Sequence, residues 1–131
     1  MSVERVSPEE EERLRELALA VAADLQFIGL EVNRAGDCWT GSVNFAEGFV
    51  VYYDPSSGDD NTPGVFARWK PSHKLLDAMR DGAEPSGHPP NLMYNSIYAM
   101  TEALRTILEA AGWRVEQGVY TPALKVSRNP V

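Results

Sequence analysis

The sequence predicts an α+β domain in which a mostly antiparallel sheet carries its helices on one face. Three observations lead there. Apolar residues recur at helical spacing near the start of the chain and again after residue 92, and the stretch between them alternates with the period of strands. The chain then ends in two short apolar runs separated by Gln117-Gly118, which read as a hairpin. With 131 residues the chain forms a single domain, residues 1–131, because two halves would each be too small to bury a good core.

Ser7 caps the first predicted helix, Pro8 fits its first turn, and Glu10 stands where a capping box places a carboxylate. Leu14, Leu17, Ala18, Val21 and Leu25 form its apolar stripe, and Gly29 ends it. The run Glu9 to Glu12 favours the positive end of the helix dipole, so it reads as helix initiation rather than as an acidic recognition tail.

A four-strand meander is expected next. Leu30 to Asn33 form a strand and Arg34-Ala35-Gly36-Asp37 a turn. Trp39, Val43 and Phe45 alternate with Thr40, Ser42 and Asn44, and Ala46-Glu47-Gly48 closes a hairpin onto the apolar strand Phe49 to Tyr53. Asp54 to Gly64 reads as an exposed loop, and Val65 to Lys70 as a strand stopped by Pro71. A short helix from Ser72 to Met79 and a Pro/Gly-rich connection at 83–90 lead to a long helix. Its stripe is Met93, Ile97, Met100, Leu104, Ile107 and Ala111, and Gly112 closes it. Trp113 to Glu116 and Val119 to Val126 make the final hairpin.

Composition excludes several classes. A hydrophobic content of 44% against 24% charged residues belongs to a folded chain rather than a disordered one. The net charge of −7 argues against nonspecific binding to nucleic acid or to an anionic membrane surface. Cys38 is the single cysteine, so no internal disulfide forms, which suits a cytoplasmic protein. No apolar run reaches membrane-spanning length, and the first residues are Glu-rich rather than basic and apolar.

No pattern announces a reaction or a cofactor. Cys38 with His73 or His88 lacks any nucleophile signature and reads as a small buried hydrophobe. Asp54, Asp59, Asp60 and Asn61 offer oxygen ligands without the spacing of a calcium loop, so no metal is expected. Glycine runs that cradle phosphates are missing, as are esterase elbows and paired zinc-ligand histidines. Tyr94 and Tyr98, one helical turn apart, suit stacking on a base or presenting a surface to a partner, but their ordinary role is to pack against the sheet edge, and that is the expectation.

Strand parity supplies the candidate site. If Trp39, Val43, Phe45, Trp69, Trp113 and Val115 face the core, the opposite face carries Thr40, Ser42, Asn44, Arg68, Lys70, Arg114 and Glu116, with Lys125 alongside. The binding residues expected from this face are Arg68, Lys70, Arg114, Thr40 and Ser42, arranged to meet an anionic ligand or an acidic partner. The ordinary role of such a face is a wet surface laced with charge pairs. The expected function is a noncatalytic binding or regulatory domain acting through a protein partner, as an inhibitor, immunity-type protein or adaptor, and open to homo-oligomer formation. The alternative is a small-ligand-binding or enzymatic domain that uses the polar sheet face, with 83–90 as a lid.

Overall fold

The computed structural model describes residues 4–37, 46–57, 63–80, 92–117 and 122–130. In chain order these contain β1 (Glu4–Arg5), α1 (Pro8–Phe27), β2 (Val32–Asp37), β3 (Gly48–Asp54), β4 (Ser56–Ser57), β5 (Gly64–Lys70), α2 (His73–Arg80), α3 (Leu92–Ala110), β6 (Trp113–Gln117) and β7 (Leu124–Arg128). The main sheet has the order β2-β3-β5-β7-β6, and β1 pairs with β4 in a separate two-stranded ribbon. The α+β class stands, but the sheet is mixed. β2 runs parallel to β3, while β3–β5, β5–β7 and β7–β6 are antiparallel.

The parallel pair overturns the meander. β3 bonds β2 along one edge and β5 along the other over Phe49–Tyr53, so both of its edges are filled by strands other than the expected hairpin partner. The stretch Trp39 to Phe45 lies outside the described residues. Arg34 to Asp37 is not a turn either. The strand continues through it, with a register shift between Arg34 and Gly36 that leaves Ala35 as an extra residue. Gly36 sits at φ +73°, so the local signal for a left-handed residue is used by a β-bulge instead of a reversal.

α1 begins as its residues dictate. Ser7 is extended, and its hydroxyl accepts from the Glu10 N–H at 3.2 Å. The Glu10 carboxylate turns to Arg13 at 3.2 Å. Leu14, Val21, Ala22 and Leu25 of α1 join Leu104 and Leu108 of α3 over Phe49, Val51, Tyr53, Val65, Ala67, Trp113, Leu124 and Val126. All the sheet members share one parity, so α1 and α3 cover the same face. On α3 the fully buried positions are Thr101, Leu104 and Leu108, whereas Met93, Ile97, Met100 and Ile107 are half-buried and Ala111 is exposed. The buried stripe is thus shorter than periodicity suggests and is confined to the C-terminal half of the helix.

The N-terminal segment is fastened to the end of β3. The Val6 N–H donates to the Pro55 carbonyl at 2.9 Å, and β1 pairs with Ser56–Ser57. Pro55 and Ser56 are buried, and the Asp54 carboxylate accepts the Ser56 N–H at 2.8 Å, so the start of the expected exposed loop is packed structure. Tyr53 reaches the same corner. Its hydroxyl donates to Glu11 at 3.1 Å and accepts from Arg15 at 3.3 Å, and Glu11 receives both Arg5 bonds at 2.7 and 2.9 Å.

Candidate functional site

The sheet face opposite the helices carries the cations expected of it, and the register fixes how they lie. Tyr52, Phe66, Lys125 and Glu116 form one row across four strands. Arg68 stands on one side of that row, opposite Val50, and Arg114 on the other side, opposite Ser127. Ordinary strand spacing and rise then separate Arg68 and Arg114 by roughly 16 Å at Cα. They share a face without sharing a site. Arg114 is paired with Glu116 at 2.9 Å, and both side chains are more than half exposed.

Arg68 and Lys70 lie together at the other end. The Lys70 ammonium is pushed below its ordinary value, first by burial and then by the neighbouring Arg68 charge. The Arg68 Nε is buried without a hydrogen-bond partner among the described residues. Val50 beside it is completely inaccessible, and Tyr52 stacks on Phe66 with ring centroids 5.6 Å apart. This half of the face is largely closed rather than wet. Thr40 and Ser42 lie outside the described residues.

The other candidate groups do not assemble chemistry. Cys38, His88, Asp59, Asp60 and Asn61 lie outside the described residues. His73 starts α2, where its backbone N–H donates to Glu47 Oε1 at 2.5 Å and its Nδ1 lies 3.4 Å from the same oxygen. That carboxylate and the Ser72 hydroxyl, which accepts from the Leu75 N–H at 3.1 Å, each take one backbone donor of the first turn of α2. Among the described residues no three metal-ligating side chains converge. No helix there is long and apolar enough to cross a membrane.

Two surfaces emerge that strand alternation did not reveal. On α3, Tyr94 and Tyr98 are 66% and 72% exposed, contrary to the expected packing against the sheet. The first fully buried residue of α3 is Thr101, and the preceding turns are exposed or half-buried. Met93, Ile97 and Met100 flank the two rings there and are only half-buried. The second surface is a cleft of about 490 Å³ between α1 and the β2–β3 edge. Arg15, Leu19 and Gln26 line it from one face of α1, at spacings of four and seven residues. Val32, Arg34 and Val51 line it from the sheet. Arg34 is hidden from strand alternation because Arg34-Ala35-Gly36-Asp37 has the composition of a turn, where a side chain has no defined face.

Comparison with protein-family models, with curated proteins and with solved structures finds no match to this chain.

Proposed function

We propose that this chain is a noncatalytic binding domain that acts through a protein partner, engaged by the N-terminal half of α3. The observation that carries the reading is the exposure of Tyr94 and Tyr98 on the turns of α3 that precede its first fully buried residue, Thr101. Tyrosine offers a large contact area with few rotatable bonds and a polar tip, which is why it is enriched at protein interfaces. Half-buried Met93, Ile97 and Met100 beside the rings add adaptable apolar surface.

Charge defines the partner. A chain of net charge −7 is steered toward a basic protein surface and away from acidic ones. The partner chemistry is therefore an apolar groove rimmed by Lys and Arg, with which the exposed Glu102 on the same helix is compatible. An inhibitor, an immunity-type protein or an adaptor would each use such a surface.

The test is quantitative capture from extract of the native host with three proteins, namely wild type, Tyr94→Ser/Tyr98→Ser, and Arg68→Ser/Arg114→Ser. The reading expects a basic protein retained by wild type and by the arginine variant, released by rising salt, and lost with the tyrosine variant. Tyrosines at the centre of an interface each cost about 2 kcal/mol or more when truncated. Retention by the tyrosine variant and loss with the arginine variant would move the interface to the sheet face. Equal retention by all three would remove both surfaces.

A further inference from the structure

We propose that the cleft between α1 and the β2–β3 edge binds a small organic anion, an apolar body bearing one carboxylate or phosphate. This site lies at the β2 end of the sheet, whereas α3 packs on β5 and β6, so it does not depend on the partner surface.

The cleft volume of about 490 Å³ lies within the range of small-molecule sites, roughly 300–1,000 Å³. Its walls divide by chemistry. Ala18 and Leu19 on α1 face Val32 and Val51 on the sheet, which gives an apolar trough. Leu19 is 44% exposed, and burying it under a ligand would remove apolar surface from water. Arg15 and Arg34 line the same space, with the Gln26 amide also present.

Among the described residues that line the cleft, the two charged ones are both cations, Arg15 and Arg34, although the chain as a whole is acidic. Glu11 is shared between Arg5 and Arg15, and Glu12 is taken by Arg15. The Arg34 side chain has no hydrogen bond or ion pair among the described residues. A guanidinium is therefore left over, and its planar fork matches the two oxygens of a carboxylate or phosphate.

The backbone supports the same assignment. The bulge at Ala35 directly follows Arg34, and Gly36 also lines the cleft. Bulges bend a strand and re-aim the neighbouring side chains, and they collect beside binding sites for that reason. Tyr53 closes one wall, with Arg15 held over its ring at 5.8 Å and bonded to its hydroxyl, so Arg15 is fixed before any ligand arrives.

The probes are benzoate, phenyl phosphate and benzyl alcohol, which share a ring and differ in charge. Amide NMR titration of the full chain should show saturable shifts within Arg15–Gln26 and Val32–Gly36 for at least one anion. The dissociation constant should be about 1 mM or tighter. Benzyl alcohol should bind at least about tenfold more weakly, and Arg34→Gln should weaken the anion by a similar factor, the scale of one charge-assisted contact. Arg34→Lys should fall between, because the fork is lost but the charge is kept. Whichever anion binds more tightly identifies the headgroup. Equal binding of benzyl alcohol, shifts confined to other regions, or no saturable binding of either anion would overturn the proposal. The tyrosine variant of α3 should bind these probes like wild type, so failure of the partner reading leaves a distinct signature.

Discussion

The indole N–H of Trp113, the first residue of β6, donates to the Asp24 carboxylate of α1 at 2.9 Å across 89 positions of sequence. Arg128, on the neighbouring strand, lies over the same ring at 5.2 Å from its centroid. One buried indole thus joins the first helix, the penultimate strand and the last strand.

Trp113→Phe keeps an aromatic ring in place and removes the donor. Hydrogen bonds to charged acceptors contribute about 1.5–3 kcal/mol, and the exposure of Asp24 places this one near the lower end. Because the smaller ring also loses packing, the test is a double-mutant cycle with Asp24→Ala, read by urea unfolding. The expected coupling is about 1 kcal/mol. Strict additivity would show that the two side chains do not interact in solution.

On α3, Leu104 and Thr101 should respond in opposite directions. Leu104 is completely buried, so Leu104→Ala is expected to cost about 2–5 kcal/mol through lost transfer energy and the cavity left behind. The Thr101 hydroxyl is buried with no hydrogen-bond partner among the described residues. Thr101→Val replaces it with a methyl group of similar size and should stabilise the fold by about 1 kcal/mol, since an unpaired buried hydroxyl costs roughly 1–3 kcal/mol. A destabilised Thr101→Val protein in thermal melts would mean that the hydroxyl is bonded after all.

These elements also show where sequence was legible. Both long helices were readable because their signals are local: a Ser7 cap, a Gly112 stop, and apolar residues at fixed spacing. The last two strands do pair, but not about a Gln117-Gly118 turn: Gln117 is paired with Leu124, so the second strand begins at Leu124 rather than Val119 and the connection is 118–123. Strand direction was not. Alternation assigns Val50 and Arg68 to a face, but it does not say which strand will lie beside Phe49 or in what sense it runs. Gly36 gave a true backbone signal with two solutions, and the bulge was realised instead of the turn. Tyr94 was misplaced for a different reason. Its helical position is close to that of buried Thr101, but periodicity carries no information about how far along a helix full burial extends. The cationic face had correct parity, yet only the register shows that Arg68 and Arg114 stand far apart.

The corner around Glu11 sets the acid limit of one contact. Arg5, donating through two nitrogens, holds the Glu11 carboxyl below its usual value, with Tyr53 and Arg15 acting in the same sense and partial burial opposing them. A carboxyl lowered by folding stabilises the native state above its unfolded value of about 4.3, and that contribution disappears as pH falls through the lower folded value. Glu11→Gln should therefore be less stable than wild type at neutral pH and converge with it in acid. Tyr53 is shifted the other way, chiefly by burial, so its contribution is lost as pH rises past about 10, and Tyr53→Phe should lack that alkaline limb. Parallel wild-type and Glu11→Gln stability curves from neutral pH to pH 3 would contradict the assignment.

Gly36 and Gly64 should separate backbone strain from crowding. At Gly36 an added Cβ meets nothing within 4 Å, but φ is +73°, so any cost arises from the backbone. Gly36→Ala is expected to lose about 1–2 kcal/mol, with Gly36→Asn losing less and Gly36→Val more, following the tolerance of each side chain for the left-handed region. At Gly64 the conformation is unstrained, but an added Cβ would come within 2.6 Å of Lys125 Cε. That atom belongs to the flexible stem of an outer-face lysine, which can swing aside. Gly64→Ala should therefore change stability by less than about 1 kcal/mol and displace Lys125 rather than the sheet. Chemical denaturation gives the ranking, and the Lys125 side-chain resonances report the displacement. A Gly64→Ala loss larger than that of Gly36→Ala would mean that Lys125 is held rigidly across β5 and that the bulge tolerates a side chain better than its φ implies.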